Sequence, residues 1–504
     1  MALSKVGRCL VVALILAPAW WASAQSSSQS ALPPTEAHGA PVAQPQPEPK
    51  PPQSQRRGRK KRSLETSTAL PPGAAFPLGL NEHGPAWFQE TRRSRDGGAT
   101  RRELTFRANV LGGYDDNLIA GLGSGANTVP TAMPSGSTGY VDAALGYFRG
   151  DELRRIVMEA RGNLLAYPGY LARPAAGSVA TVDAMTPLGR TLMFRAIGQV
   201  RYEPFFNVFS LGASGGTQPG IGETVPAAGL FEYRSLISGT SVSLDRFWTQ
   251  RDSTSLSYSY GLQQFTSQNY GDNSSHDVLV EYRRRLARGV RAQAGYRYVD
   301  LDYTGSDGAA LPIREHVIEG GPEIQMALSR RRRLALALEA GVGYIESTDA
   351  VNRERYYHSW VPIGSGSASL GLSPVWSVEG GYRRRFSRLP GITDEVYTTD
   401  TVFLTTHRLV TSRSDLWVGV TYGDWRTLLA SGVDETLNVY GASAQVSVAL
   451  TAAVAATAGY FYYHNSYSNP GALPTGFPAE YDRHAVRVGL TMWIPLAGTS
   501  FSRR

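Results

Sequence analysis

Between about Leu104 and Ile494, apolar and polar residues alternate one by one in short stretches, and the connections between stretches run long, short, long, short without a break. Successive side chains of a β-strand point to opposite faces, so this alternation gives each strand one apolar and one polar side. The clearest example is Ser253 to Gln263, STSLSYSYGLQ. It puts Thr254, Leu256, Tyr258, Tyr260 and Leu262 on one side and Ser253, Ser255, Ser257, Ser259 and Gln263 on the other. One side suits lipid and the other water. Breaking the alternation at turn residues gives about eighteen segments, from 104–114 to 483–495, each long enough for the roughly 9–11 residues that a membrane-crossing strand needs. The two weakest, 175–187 and 395–410, set the lower bound at sixteen.

The connections carry independent information. Loop 115–137 is followed by the turn at Gly150-Asp151-Glu152, then by Pro168 to Pro174, then by Leu188-Gly189. Outer-membrane barrels have short periplasmic turns and longer outside loops, so the first strand is expected to run outward and both ends of the barrel to face the periplasm. An even strand number follows. The fold class is all-β: a transmembrane antiparallel β-barrel of 16–18 strands, expected in the bacterial outer membrane.

A soluble sandwich also alternates, and the N-terminus decides between the two. Lys5 and Arg8 precede the apolar run Leu10 to Ala17, and Ala22-Ser23-Ala24 supplies small residues for cleavage, so residues 1–24 read as a signal peptide. No later window holds the roughly 18 uncharged apolar residues of a transmembrane helix. The single cysteine, Cys9, falls inside the signal peptide, which leaves the mature chain without disulfides or thiolate metal sites. Residues 25–75 are rich in Pro, Gln, Ser and Ala, too poor in large apolar residues to offset their ordering entropy, and read as a disordered periplasmic linker. Within it lies RRGRKKR, Arg56 to Arg62. Export excludes a nuclear or nucleic-acid role, which leaves a solvated tether or a contact with an anionic periplasmic partner. Two cations in the signal peptide and six in this run match the whole formal charge of +8, so the remainder is close to neutral. Residues 76–103 are a short unassigned periplasmic segment, 104–496 the barrel, and 497–504 a C-terminal tail.

Aromatic residues at the outer ends of the outward-running strands, Tyr114, Tyr167, Tyr202, Phe265, Tyr298, Tyr344, Phe386, Tyr422 with Trp425, and Tyr462, are expected to form the outer interfacial girdle. Pro322 falls inside a strand on the lipid side, where its missing N–H calls for a bulge or weak pairing. Arg487 to Ile494, RVGLTMWI, has the polar-x-Gly-x-x-hydrophobic-x-hydrophobic pattern by which the barrel-assembly machinery takes up final strands. Here it is followed by PLAGTSFSRR.

Function would be written on the inward positions. The cationic candidates for the pore lining are Arg107, Arg161, Arg195, Arg201, Arg291, Arg297 and Arg487; the anionic ones are Asp142, Glu159, Glu281, Glu319, Glu323, Glu339 and Glu379. Neither sign wins. A barrel this wide is not filled by its own wall, so these charges are solvated by channel water, paired across neighbouring strands, or covered by a plug. Charges of opposite sign facing each other across a constriction would set up a transverse field. Tyr140, Phe148, Trp417, Phe461, Tyr463 and Trp493 also fall inward, where rings stack on sugars or pack on an in-folded segment. Loops 204–229 and 466–482 are candidate lids, with plain surface loops as the alternative. Asp115-Asp116-Asn117 offers three oxygen side chains, either to a cation such as the metal bridging lipopolysaccharide or to an Asx-type turn.

An outer-membrane enzyme would need a Ser, His and acid constellation. The histidines stand singly, and the close acid–His pairs, His276-Asp277 and Asp482 with His484, have no recognisable motif around them. No phosphate loop, metal cluster or nucleotide fingerprint is present, so neither catalysis nor a cofactor is expected. A TonB-type receptor would need a folded plug ahead of its barrel, and the N-terminal region is too short and too low in complexity. Pore, diffusion porin and structural or adhesive barrel remain.

NVLGGYDDNLIAG, Asn109 to Gly121, resembles the opening strand and loop of the β-barrel porin 2 family, and RYEPFF, Arg201 to Phe206, resembles a second stretch common there. Some members of that family accompany exopolysaccharide export systems. The resemblance implies a barrel providing an outer-membrane exit for exported polysaccharide, supplied by a periplasmic polysaccharide-export protein and embedded among outer-membrane lipid and lipopolysaccharide. It carries over no catalytic residues.

Overall fold

Each alternating segment forms a strand. The computed structural model describes residues 100–116, 135–151, 153–168, 174–203, 234–265, 272–304, 310–348, 356–388, 396–428, 436–468 and 479–501. In chain order the strands are β1 (Thr100–Asp115), β2 (Gly136–Gly150), β3 (Arg155–Ala166), β4 (Ala175–Pro187), β5 (Leu192–Glu203), β6 (Ser235–Phe247), β7 (Asp252–Phe265), β8 (Asn273–Ala287) and β9 (Val290–Thr304). They continue as β10 (Ala310–Ala327), β11 (Arg333–Thr348), β12 (Tyr356–Ser373), β13 (Trp376–Arg388), β14 (Val396–Thr411), β15 (Ser414–Thr427), β16 (Thr436–Ala449), β17 (Val454–Tyr467) and β18 (Glu480–Phe501). Every strand pairs with its chain neighbours, and β1 pairs antiparallel with both β2 and β18, so the 18-stranded sheet closes on itself. The weak segments 175–187 and 395–410 are present as β4 and β14. No helix among the described residues is long and apolar enough to cross a membrane; the strands do so. Signal peptide, linker and most of the two candidate lids lie outside the described residues.

Eight connections leave two to five residues between strand bounds and alternate with nine of five to thirty-one. The short ones are closed by their own side chains. Asp151 accepts from the Leu153 and Arg154 N–H groups, Thr249 from Arg251 and Asp252, and Thr451 from Ala453 and Val454, as expected of Asx and Ser/Thr turns. Gly289 turns at φ +78°, where a Cβ would stand 2.1 Å from the Gln325 carbonyl oxygen. The barrel ends lie at this short-turn rim, which orientation rules place in the periplasm. A protease added to intact cells is therefore expected to cut tags within 204–229 or 469–478 and to spare tags at Gly150 or Arg331. The reverse pattern would invert the barrel.

Large apolar side chains cover the outer wall, among them Val110 at 55% exposure, Ile318 at 61% and Val488 at 58%. Polar residues such as Ser257 at 6% and Ser443 at 4% occupy the inner one. An apolar band around a closed barrel is an outer-membrane architecture. Pro322 sits on the outer side, and the β10–β11 ladder carries no pairing at Gly321 or Pro322 although register is kept on both sides, so the missing N–H is absorbed by weak pairing.

The seam departs from expectation. Closure is expected to bring Leu104 near Met492, whereas Leu104 pairs with Ala497 and Met492 with Ala108. A bulge lets β18 continue past Pro495 to Phe501, so residues 497–501 are strand paired with the start of β1 and not a free tail. The girdle is also corrected. Tyr114, Tyr202, Tyr298, Tyr344, Tyr422 and Tyr462 lie on the outer wall, whereas Tyr167 and Trp425 are buried at 2% and 5% on the inner face. Phe265 pairs with the inward-facing Ser235, and Phe386 packs against Ile313, Ile345 and Val396. One position along a strand reverses the face, and a ring near a strand end does not reveal its parity.

Candidate pore lining

The inner wall is knitted by ion pairs within one strand and between strands up to three apart. Arg107 on β1 reaches Glu159 on β3 at 2.8 Å. Asp142 accepts from Asn109 at 2.7 Å and from Arg161 at 3.1 Å, and Arg161 also donates to the Tyr140 hydroxyl. Arg195 grips Asp183 with two bonds of 2.9 Å, and Arg155 donates to the same carboxylate. Arg201 lies half-buried on the same face of β5 as Arg195.

A second lattice spans β8 to β13. Glu281 accepts two bonds from Arg283 two residues along its strand, Arg297 binds Asp277, and Arg291 stands 3.5 Å from Glu323. Arg385 is the hub, contacting Glu319 at 2.5 Å and Glu339 at 3.6 Å, while Gln293 and Ser365 donate to Glu339. Arg487 is buried, with its guanidinium 5.8 Å from the centre of the Phe461 ring. Glu379 has no side-chain partner among the described residues. Pairing within a strand or across one to three strands is what these wall charges show among the described residues. It joins the two signs locally, where a transverse field would hold them on opposite banks.

Arg385, Asp183 and Gln293 escaped the sequence reading. The first two obey the same period-two rule as their neighbours, so the signal for an inward position was there. Their role as hubs was not, because it depends on register: Arg385 and Glu319 are 66 positions apart.

The inward aromatics gather near the seam and are mixed there with charge: Tyr140 accepts from Arg161, and Arg487 faces Phe461. Trp417, Phe461, Tyr463, Trp493, Tyr140 and Phe148 belong to β15, β17, β18 and β2, a contiguous sector across the seam. Phe461 and Trp493 are buried at 5% and 6%. The inner loop-side mouth carries an apolar cluster of Ile313, Ile345 and Val396 with Leu301, Phe386 and Leu428. The Tyr397 and Tyr467 hydroxyls meet nearby at 3.2 Å.

The histidines form no catalytic constellation among the described residues. His276 is on the outer wall while Asp277 points inward to Arg297, because neighbours in a strand face opposite ways. Asp482 bonds His464 and Tyr462. Three outer-wall histidines repeat one arrangement. His276, His316 and His484 each bond a tyrosine hydroxyl through Nδ1 at 2.9, 2.8 and 2.7 Å and lie 5.0–5.1 Å from the ring of the tyrosine two residues further on. This serves the interface, where an aromatic body meets lipid and its hydroxyl needs a partner. On the inner wall near the periplasmic end, His407 pairs with Asp415 at 2.5 Å.

The two aspartates of the Asp115-Asp116-Asn117 motif are engaged across the seam. Asp115 is paired with Arg483, and Asp116 accepts the His484 N–H at 2.6 Å. Asn117 lies outside the described residues.

No family model matches the chain, and no curated protein is similar to it in sequence. Among solved structures, OccAB4 of Acinetobacter baumannii is similar at 9% identity and a TM-score of 0.40, over 79% of this chain and 99% of that one. OpdQ of Pseudomonas aeruginosa is similar at 9% and 0.38, over 79% and 98%. The ferric-catecholate import receptor Fiu of E. coli K12 is similar at 8% and 0.40, over 78% and 81%.

Proposed function

We propose that the barrel is an aqueous pore serving as the outer-membrane exit for an exported polysaccharide. Barrels of 16–18 strands leave a water-filled channel unless something plugs them, and this one has eighteen. The observation that carries the reading is the chemistry of the inner wall: charge that is largely paired, with inward aromatics gathered among it from β15 to β2. A wall most of whose arginines are already bonded to carboxylates offers little grip to a small ion. Hydroxyls, amides and ring faces suit weak, repeated contact with a hydrated polymer. The likeness of Asn109–Gly121 and Arg201–Phe206 to a family that includes export-linked members points the same way. In this reading a periplasmic export protein delivers the polymer at the short-turn rim, and the basic run Arg56–Arg62 offers charge to an anionic periplasmic partner. Polymer leaves through the loop-side mouth.

A clean deletion is expected to abolish surface polysaccharide while synthesis continues, with polymer held inside the envelope. Normal surface polysaccharide together with slowed uptake of small solutes would replace export with diffusion. Purified protein that conducts in planar bilayers neither as the full chain nor after removal of a candidate lid would end both readings in favour of a structural barrel.

A further inference from the structure

On the inner wall at mid-barrel height, where β12, β13 and β14 run side by side, a recess of about 100 Å³ is lined by Ser365, Ser367, Glu379, Arg383 and Phe403. A single water needs roughly 10–15 Å³ on this measure, so the recess holds several. Its floor is the row Ser367–Gly381–Phe403, directly opposite one another on the three strands. The Phe403 ring lies over Gly381, within 2.7 Å of where a Cβ would be, and the glycine is what lets the ring lie down on the wall.

Glu379 and Arg383 flank that floor, each two residues from Gly381 and on the same face of β13. The wall around them pairs arginine with carboxylate, yet neither of these two side chains has a hydrogen-bond or ion-pair partner among the described residues. Polar groups held this way, beside an apolar face, are what binding pockets use to fix a ligand.

We infer that this recess is a saccharide subsite, taking one uncharged hexose ring of a polymer or oligosaccharide in transit; the inference rests on the conduit reading for the polymer's passage but not for the binding itself. The Phe403 face offers the C–H side of a pyranose an aromatic platform. Hydroxyl groups at the rim of the sugar meet an acceptor in Glu379, a planar pair of donors in Arg383, and the Ser365 and Ser367 hydroxyls. A neutral ring satisfies both charged ends, whereas a uronate would gain at Arg383 and be repelled by Glu379.

Titration calorimetry on the purified full chain, with maltohexaose, cellohexaose and hexagalacturonate as probes, tests the assignment. At least one neutral hexaose is expected to bind saturably and more tightly than the uronate. Phe403→Ala should weaken that binding about tenfold, the loss of one stacked ring, and Glu379→Gln should weaken it several-fold. Phe403→Trp should retain it. The heat-modifiable gel shift of each variant reports that the barrel is folded. Binding that Phe403→Ala leaves unchanged, failure of every neutral probe to bind, or preference for the uronate would overturn the subsite. The conduit stands or falls separately on the deletion strain: normal surface polysaccharide beside Phe403-dependent binding would remove export and keep the subsite, and retained polymer without such binding would do the reverse.

Discussion

Replacing Asp115 by alanine is expected to destabilise the barrel by about 3–5 kcal/mol, the usual cost of leaving one partner of a buried ion pair uncompensated. Asp115 and Arg483 have side-chain exposures of 1% and 4% and are joined by Nε and Nη2 donors across the seam, 368 positions apart in sequence. The Asp116 N–H also donates to the His484 carbonyl at 3.0 Å, and the His484 N–H returns a bond to the Asp116 carboxylate. First and last strands are thus locked at the loop-side end, while the extended β18 covers the start of β1 at the other. Urea unfolding in lipid vesicles, followed by the heat-modifiable gel shift, measures the effect. Arg483→Met should cost a similar amount, whereas Asp115→Leu with Arg483→Met should recover most of it, because an apolar pair of similar volume needs no desolvation. Additive losses in the double variant would show that the two charges are not coupled and that backbone pairing alone holds the seam.

The strands were legible because a barrel wall lies between lipid and water along its whole length, so each strand repeats the same two-sided contrast. Even β4 could be read. Ala176, Ser178, Ala180 and Val182 are outward and exposed, and although they are small, they still alternate with Gly177, Val179, Thr181 and Asp183. Inward parity was legible for the same reason, and it placed Arg107, Asp142, Glu319 and Glu339 on the wall. What escaped depends on register between distant segments. Pro495 reads as the end of a strand, and only pairing with β1 shows that a bulge carries β18 beyond it. Asp115 reads as part of an Asx-type turn or a cation site because Arg483, which pairs with it, is at the far end of the chain. The recess around Gly381 takes residues from three strands, and nothing in Glu379-Gly-Arg383 spacing alone reveals that Phe403 lies across it.

A charge on the outer wall should cost about 2–4 kcal/mol near the midplane, where an arginine has neither water nor a partner within reach. Val420, exposed at 45% at the middle of β15, has Leu404 and Ala442 as its cross-strand neighbours; Val488, exposed at 58%, lies between Gly112 and Ala458. Val420→Arg and Val488→Arg are therefore expected to lower the urea midpoint in vesicles and to reduce the folded, heat-modifiable fraction in cells. Leu256→Arg and Leu336→Arg should do the same, less strongly the nearer the site lies to an interface. Ser257 and Ser443 are inward but only 6% and 4% exposed, so in Ser257→Arg and Ser443→Arg the guanidinium must rise past its neighbours to reach channel water, and the loss should be clearly smaller than for the outer-wall variants. The comparison reads the lumen as well as the faces. Inner-wall arginines are tolerated only if water or carboxylates can reach them, so a lumen packed dry would make Ser443→Arg as damaging as Val420→Arg. Equal losses on the two walls would remove the aqueous channel on which the conduit depends, and equal tolerance would remove the lipid belt.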